Sequence, residues 1–183
     1  LGGRLLWRAS ATGWTAWLAA LVACFYLVPL QILQTHIFSD TPYDTAALDR
    51  FAELVRCGAG AGVDVGFAIS PGLSIEYASR ADRATLARKL VAFEAIGARF
   101  FSLALDDVPT QLVHSGDRAA FDSLAAAHVD LAHAVRDALA PGAVLWLVPT
   151  DYLGVAATDY LEILGARLDP AIESQALAVG GDE

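Results

Sequence analysis

One stretch decides the fold: Phe100-Phe101-Ser102-Leu103-Ala104-Leu105-Asp106-Asp107-Val108. Its apolar first part predicts a buried β-strand, and that strand ends abruptly in two adjacent carboxylates. Burying two like charges is costly unless they are paired or functional. Catalytic groups of (β/α) barrels lie where a strand meets its following loop. The stretch therefore indicates an enzyme, with Asp106 and Asp107 as its candidate catalytic residues.

The segments around this stretch alternate between predicted helices and strands. Apolar residues at helical spacing predict four helices, over Thr45–Cys57, from Asp82 to Gly97, over Asp117–Leu139 and over Tyr160–Gly165. Two further apolar runs, Val63–Ile69 and Ala143–Val148, predict strands. This alternation implies right-handed βαβ units and a parallel sheet. An open doubly wound sheet and a barrel both place ligands at the carboxyl edge, so the pattern alone does not choose between them.

Composition limits the classes of partner. The net charge of −9 and the isoelectric point near 4.7 argue against nucleic acid, which selects basic surfaces. Cys24 and Cys57 have no metal-like spacing, and His128 and His133 are five residues apart, the wrong spacing for joint metal ligation. We assign no metal, and we expect both histidines to be surface or packing residues. The charged residues of the second helix are predicted to form a solvated face: Arg80, Asp82, Arg83, Arg88 and Lys89.

The first forty residues differ from the rest of the chain. No acidic residue occurs before Asp40, and Thr15–Leu33 is almost continuously apolar after Arg4 and Arg8. Nineteen such residues are long enough to cross a bilayer with their positive end in the cytoplasm. The segment supports an alternative hypothesis, a membrane-anchored, non-catalytic sugar-binding or structural protein. A membrane partner is expected only if this anchor is genuine.

Several of these motifs together resemble glycoside hydrolase family 84, which contains O-GlcNAcases and bacterial β-N-acetylglucosaminidases. The resemblance is carried by the segments at residues 67–75, 89–90, 104–108, 149–152 and 160–165. It covers residues 42–172 and implies an α/β fold, a partial (β/α)8 TIM barrel with about strands 2 or 3 to 5 recognisable and both ends incomplete. At 183 residues the chain is short for a barrel, which needs roughly 250, and we expect it to be a fragment.

The resemblance also implies a chemistry. The substrate's own 2-acetamido oxygen attacks the anomeric carbon, so no enzyme nucleophile is needed. By resemblance Asp106 holds the acetamido nitrogen and Asp107 acts as general acid and base. Tyr152 matches the tyrosine of the family's Cys-Pro-Thr-Glu-Tyr run and is the expected substrate contact, although Val148 and Asp151 replace the Cys and Glu. The implied partner is a protein or glycan bearing N-acetylglucosamine, in a cytoplasmic or secreted setting. No cofactor is implied.

The ends of the chain depart from the family pattern. Residues 1–41 lack its Gly-Phe-Tyr-Gly and Ala-Pro-Lys segments although the spacing from Pro29 to Pro42 is kept, which predicts a divergent or frame-shifted segment. Residues 173–183 are expected to be a divergent tail. We therefore expect impaired catalysis by this chain. A different (β/α) hydrolase with the Asp pair as metal ligands stays a further alternative.

Overall fold

The computed structural model describes residues 42–71, 74–154, 158–174 and 177–178. In chain order its elements are α1 (Thr45–Gly60), β1 (Gly66–Ile69), α2 (Arg80–Ala95), β2 (Phe100–Ala104), α3 (Ser115–Ala120), α4 (Leu124–Ala138), β3 (Val144–Val148), β4 (Leu153–Gly154), α5 (Asp159–Arg167), β5 (Ile172–Ser174) and β6 (Leu177–Ala178). The apolar segment Thr15–Leu33 lies outside the described residues. Within them, no helix has the length and apolar character needed to span a bilayer.

Four strands form one parallel sheet in the order β1-β2-β3-β5. Each strand pairs in parallel with the next, and at least one helix lies in the connection between each pair. β4 and β6 form a separate parallel pair. A doubly wound sheet reverses its strand order at a switch point, whereas neighbours in this sheet follow the chain. The sequential order is that of consecutive units of a (β/α)8 barrel, and the predicted α/β partial barrel is confirmed.

The helices cover one face of this sheet. Successive side chains of a strand point to opposite faces, and in β2 and β3 every second residue is buried. The buried residues join helix side chains in one hydrophobic core, which includes Phe101, Leu103, Leu145, Leu147, Leu86, Leu90, Leu131 and Val135. Each fully buried Leu or Phe contributes roughly 1.5–3 kcal/mol. The opposite face is only partly covered within the described residues, as expected for the interior side of a barrel wall.

Aromatic rings attach α1 to the sheet. The rings of Phe67 on β1 and Phe93 on α2 stack with centroids 4.1 Å apart, and Phe51 of α1 contacts both edge-on. Tyr43, just before α1, lies 4.8 Å from the Phe93 ring. Edge-to-face and offset contacts of this kind add about 0.5–1.5 kcal/mol beyond the buried area. α1 is therefore held through rings, since none of its own residues is fully buried.

The structure corrects three sequence-based expectations. The single helix predicted over Asp117–Leu139 is wrong: α3 and α4 are separated at residues 121–123, where Ser123 caps α4 by accepting the Ala126 N–H. Lys89 is buried, and its ammonium lies 5.5 Å from the Tyr43 ring centroid, so α2 is not a uniformly solvated charged face. Finally, β5 is a fourth strand that the apolar pattern did not predict.

A histidine lies in the centre of the helical layer. His128 of α4 is fully buried, which confirms it as a packing residue and not a surface one. Its Nε2 is 3.0 Å from the Tyr77 hydroxyl and its Nδ1 is 2.8 Å from the Tyr160 hydroxyl. Both ring nitrogens are thus satisfied, which removes most of the cost of burying an imidazole. Burial lowers the pKa of His128 to about 3, so the ring is neutral at physiological pH.

We expect this histidine to make stability depend on pH. A histidine in the unfolded chain titrates near 6.5, so the unfolded state binds the proton more tightly than the folded state does. The free energy of unfolding therefore falls as the pH drops through 6.5 towards 3. Urea titrations should show that this one group removes about 2 kcal/mol between pH 6.5 and about pH 4.5.

The difference between wild type and His128→Gln isolates this contribution, because carboxylates common to both proteins cancel. Val135→Ala is the matched control, since it truncates another buried residue of α4 without removing a titrating group. Val135→Ala should lower stability equally at every pH. A wild-type pH slope in His128→Gln would contradict the assignment.

Candidate active site

The carboxyl ends of the first three sheet strands meet at one edge. Because β1, β2 and β3 are parallel, Ser70, Asp106 and Thr150 leave the sheet at the same side. Gly72 and Leu73, which follow β1 in the sequence, lie outside the described residues. This edge is where the sequence places its unusual strand-end residues, and it is the ligand-binding edge of parallel α/β folds.

Asp106 and Asp107 directly follow the last bonded residue of β2. The Leu105 N–H donates to the Val148 carbonyl at 2.8 Å, so strand geometry extends to Leu105, which is fully buried on the helix side. The backbone bends at the next residue, Asp106, which is half-buried, and Asp107 is exposed. Among the residues that the structure describes, none forms a hydrogen bond or an ion pair with either carboxylate. Both are therefore available to an external donor.

Thr150 connects the loop after β3 to the Asp pair. Its hydroxyl donates to the Leu105 carbonyl at 2.6 Å, and its N–H donates to the Tyr160 hydroxyl at 3.3 Å. The Leu105 carbonyl belongs to the peptide unit immediately before Asp106. Sequence reasoning missed Thr150 as a functional position; its only signal was membership of the Pro149–Tyr152 run.

Tyr152 and Asp151 follow Thr150 in the same loop. Tyr152 is half-buried, and no described residue forms a hydrogen bond with it. Asp151 has a structural task, because its Oδ2 accepts the Thr158 hydroxyl at 2.6 Å while Thr158 caps α5 by accepting the Leu161 N–H. The structure thus places Asp106, Asp107 and Tyr152 at one sheet edge, on two neighbouring strand ends.

Metal ligation has no support in the described part of the chain. No group of three or more His, Cys, Asp or Glu side chains there is arranged to hold an ion. The chemistry of the edge is that of carboxylates that carry no structural bond. Such carboxylates can accept an N–H, or hold and return a proton, which are the tasks of a glycoside hydrolase.

Comparison with known proteins agrees with this class. A family model described as beta-N-acetylglucosaminidase matches residues 39–176. The chain belongs to this family of glycoside hydrolases, family 84, and its resemblance to that family is thereby confirmed.

Individual relatives give the same result. The chain is 28% identical over 155 residues to Protein O-GlcNAcase of Rattus norvegicus and of Mus musculus, covering 81% of this chain and 17% of each relative. A solved structure of a mutant O-GlcNAc hydrolase from Thermobaculum terrenum is 33% identical with a TM-score of 0.70, covering 74% of this chain and 30% of that one. The chain therefore spans less than a third of each of these proteins.

Carboxylates without structural bonds should be replaceable without loss of stability. We expect Asp106→Asn and Asp107→Asn to change the free energy of unfolding by no more than about 0.5 kcal/mol. Asp117 is the contrasting case: it is fully buried, and its Oδ1 accepts the Ala78 N–H at 2.7 Å. Asp117→Ala should cost about 1–3 kcal/mol, because it leaves that N–H without its acceptor.

Urea denaturation of the three variants at neutral pH measures these differences. A loss in Asp106→Asn or Asp107→Asn as large as that of Asp117→Ala would show that the pair is structural and would remove the argument from its lack of bonds.

Proposed function

We propose that this chain carries the catalytic carboxylates of an enzyme that hydrolyses β-N-acetylglucosaminides with retention of configuration. The observation that supports the proposal most is the pair Asp106 and Asp107, adjacent at the carboxyl end of β2 and bonded to no described residue. The family match supplies the substrate class. The names of the relatives favour N-acetylglucosamine on a protein or a glycan as the natural substrate.

The proposed reaction has two steps. In the first, the acetamido oxygen of the substrate bonds to the anomeric carbon while the bond to the leaving oxygen breaks. Asp107 gives its proton to that oxygen, and Asp106 takes the proton of the acetamido N–H, which increases the electron density on the attacking oxygen. The product is a bicyclic oxazoline. In the second, water attacks the anomeric carbon while the bond from that carbon to the oxazoline oxygen breaks. Asp107 takes the proton of the water, and Asp106 returns its proton to the nitrogen, which regenerates the acetamido group.

Two adjacent carboxylates can perform these tasks because, in the first step, one accepts from the acetamido group and the other gives a proton to the leaving oxygen. Asp106 is half-buried, which suits a fixed acceptor for one N–H. Asp107 is exposed, which suits a group that exchanges protons with a leaving alcohol and then with water. Tyr152, half-buried at the neighbouring strand end, is the proposed contact to the sugar.

We further propose that the 183-residue chain on its own turns over slowly. The described part supplies four strands of a barrel wall, and the other face of that wall is only partly covered. Robust hydrolysis of a chromogenic β-N-acetylglucosaminide by this chain would contradict this part of the proposal.

The leaving-group dependence of variants tests the two roles. Asp107→Ala should slow the hydrolysis of a 4-methoxyphenyl glycoside about 10²–10⁴-fold, because that leaving group needs a proton. A 2,4-dinitrophenyl glycoside needs none, so its first step should be far less affected. Asp106→Ala should slow both substrates, since the acetamido group attacks in both.

The control for this experiment is Asp137→Asn, which removes an exposed carboxylate near the end of α4. It should leave both rates unchanged. Equal losses on the two substrates in Asp107→Ala would rule out the acid role. Binding of the thiazoline derived from N-acetylglucosamine, in which sulfur replaces the oxazoline ring oxygen, measures the site where turnover is too slow to follow.

A further inference from the structure

A continuous set of hydrogen bonds runs through the core to the site. It begins at the Tyr77 hydroxyl in the loop before α2, passes through both ring nitrogens of His128 and reaches the Tyr160 hydroxyl in the first turn of α5. From Tyr160 it continues to the N–H of Thr150. The proposed reaction uses neither His128 nor the two tyrosines. Three separate elements therefore meet on one buried imidazole that has no chemical task of its own.

One direction in this network is fixed by its chemistry. The backbone N–H of Thr150 can only donate, so the Tyr160 oxygen accepts there. The direction of the two bonds to His128 depends on the tautomer of the ring, which donates from one nitrogen and accepts at the other. Burial raises the pKa of both tyrosines and lowers that of His128, so all three groups stay neutral.

The last member of the network acts on the peptide before the Asp pair. The Thr150 hydroxyl donates to the Leu105 carbonyl at 2.6 Å. A peptide unit is planar, so holding that carbonyl also sets the direction of the Asp106 N–H and the position of the Asp106 Cα. The second bond of Thr150, from its N–H to Tyr160, fixes the residue that does the holding. The buried network is thus linked to the Asp pair through two hydrogen bonds of Thr150, one from its N–H and one from its hydroxyl.

We propose that Tyr160, anchored by His128, is a positioning residue for Asp106, and that it acts through Thr150 and the Leu105 carbonyl. The proposal rests on the role assigned to Asp106 above. According to this proposal, α4 and α5 do more than cover the sheet, because the hydroxyl of Tyr160 determines the position of Asp106, the acceptor of the acetamido N–H. Small displacements of such a group reduce catalysis strongly, since an error of about 1 Å can cost about 10²-fold.

Tyr160→Phe and Tyr77→Phe form a matched pair that separates positioning from packing. Each variant removes one hydroxyl from one nitrogen of His128, and only Tyr160 also contacts Thr150. The readouts are the backbone amide resonances of Asp106 and Asp107 in ¹H–¹⁵N spectra and the affinity for the thiazoline. Tyr160→Phe should shift both resonances and weaken thiazoline binding about tenfold. Tyr77→Phe should leave the resonances in place and the affinity within about twofold.

A second pair of variants tests the last bond and remains informative if Tyr160→Phe does not fold. Thr150→Val keeps the shape of the side chain without its hydroxyl, and Thr150→Ser keeps the hydroxyl. Thr150→Val should reproduce the resonance shifts and the weaker binding, and Thr150→Ser should restore both. Equal effects of Tyr77→Phe and Tyr160→Phe, or no effect of Thr150→Val, would overturn the proposal.

The two readouts distinguish this inference from the proposed function. The resonances report the position of the Asp pair without any ligand. If the wild-type chain did not bind the thiazoline while Tyr160→Phe and Thr150→Val still moved the Asp106 resonance, the positioning role would hold and the assigned substrate would be wrong. If wild type bound the thiazoline, Asp106→Asn did not, and the two tyrosine variants were equivalent, the function would hold and the positioning role would be wrong.

Discussion

The parallel pairing of β2 with β3 is the constraint on which the site depends. Their register aligns Ala104 with Val148, and one further ladder bond extends the pairing to Leu105. Leu105 is buried on the helix side, and the chain leaves the strand at the next residue, Asp106. A shift of one residue in the register of β2 would bury the Asp106 carboxylate and expose Leu105, and both changes cost free energy. The hydrophobic core of the sheet therefore selects the position of the polar site.

Four aspartates of the described residues differ in their hydrogen bonds. Asp117 and Asp151 hold loops: one accepts the Ala78 N–H, and the other accepts the Thr158 hydroxyl beside the site. Asp106 and Asp107 hold nothing in the described residues, although they stand at the end of a well-ordered strand. A carboxylate committed to a structural bond is a poor acceptor for substrate, so the division itself supports the assignment of roles. It could not be derived from residue type, because all four are aspartates.

Short-range sequence patterns predicted the elements that short-range interactions determine. The helices and the first three strands follow from apolar spacing, and Asp106 and Asp107 stand out because acids follow an apolar run. The break at residues 121–123 was missed because the apolar stripe continues across both helices, whereas the backbone becomes extended at Phe121 and a new helix begins after the capping Ser123. β5 is too short for a periodic signal. The partners of His128 lie 51 and 32 residues away in sequence, a separation that only the tertiary fold closes.

The start of α5 holds the loop in which the chain departs from the family pattern. Where the corresponding run of the family has Glu, this chain has Asp151. Its shorter side chain accepts a hydrogen bond from the Thr158 hydroxyl at the start of α5. Tyr160, two residues further along in the first turn of α5, accepts a hydrogen bond from the Thr150 N–H. Thr158 and Tyr160, both at the start of α5, thus form one hydrogen bond each to the loop, at Asp151 and at Thr150. Tyr152 is the next residue, so these contacts also hold its backbone. Its own side chain forms no hydrogen bond with any described residue. With Asp151 in place of the family's Glu, the loop before Tyr152 is thus held by hydrogen bonds to both Thr158 and Tyr160.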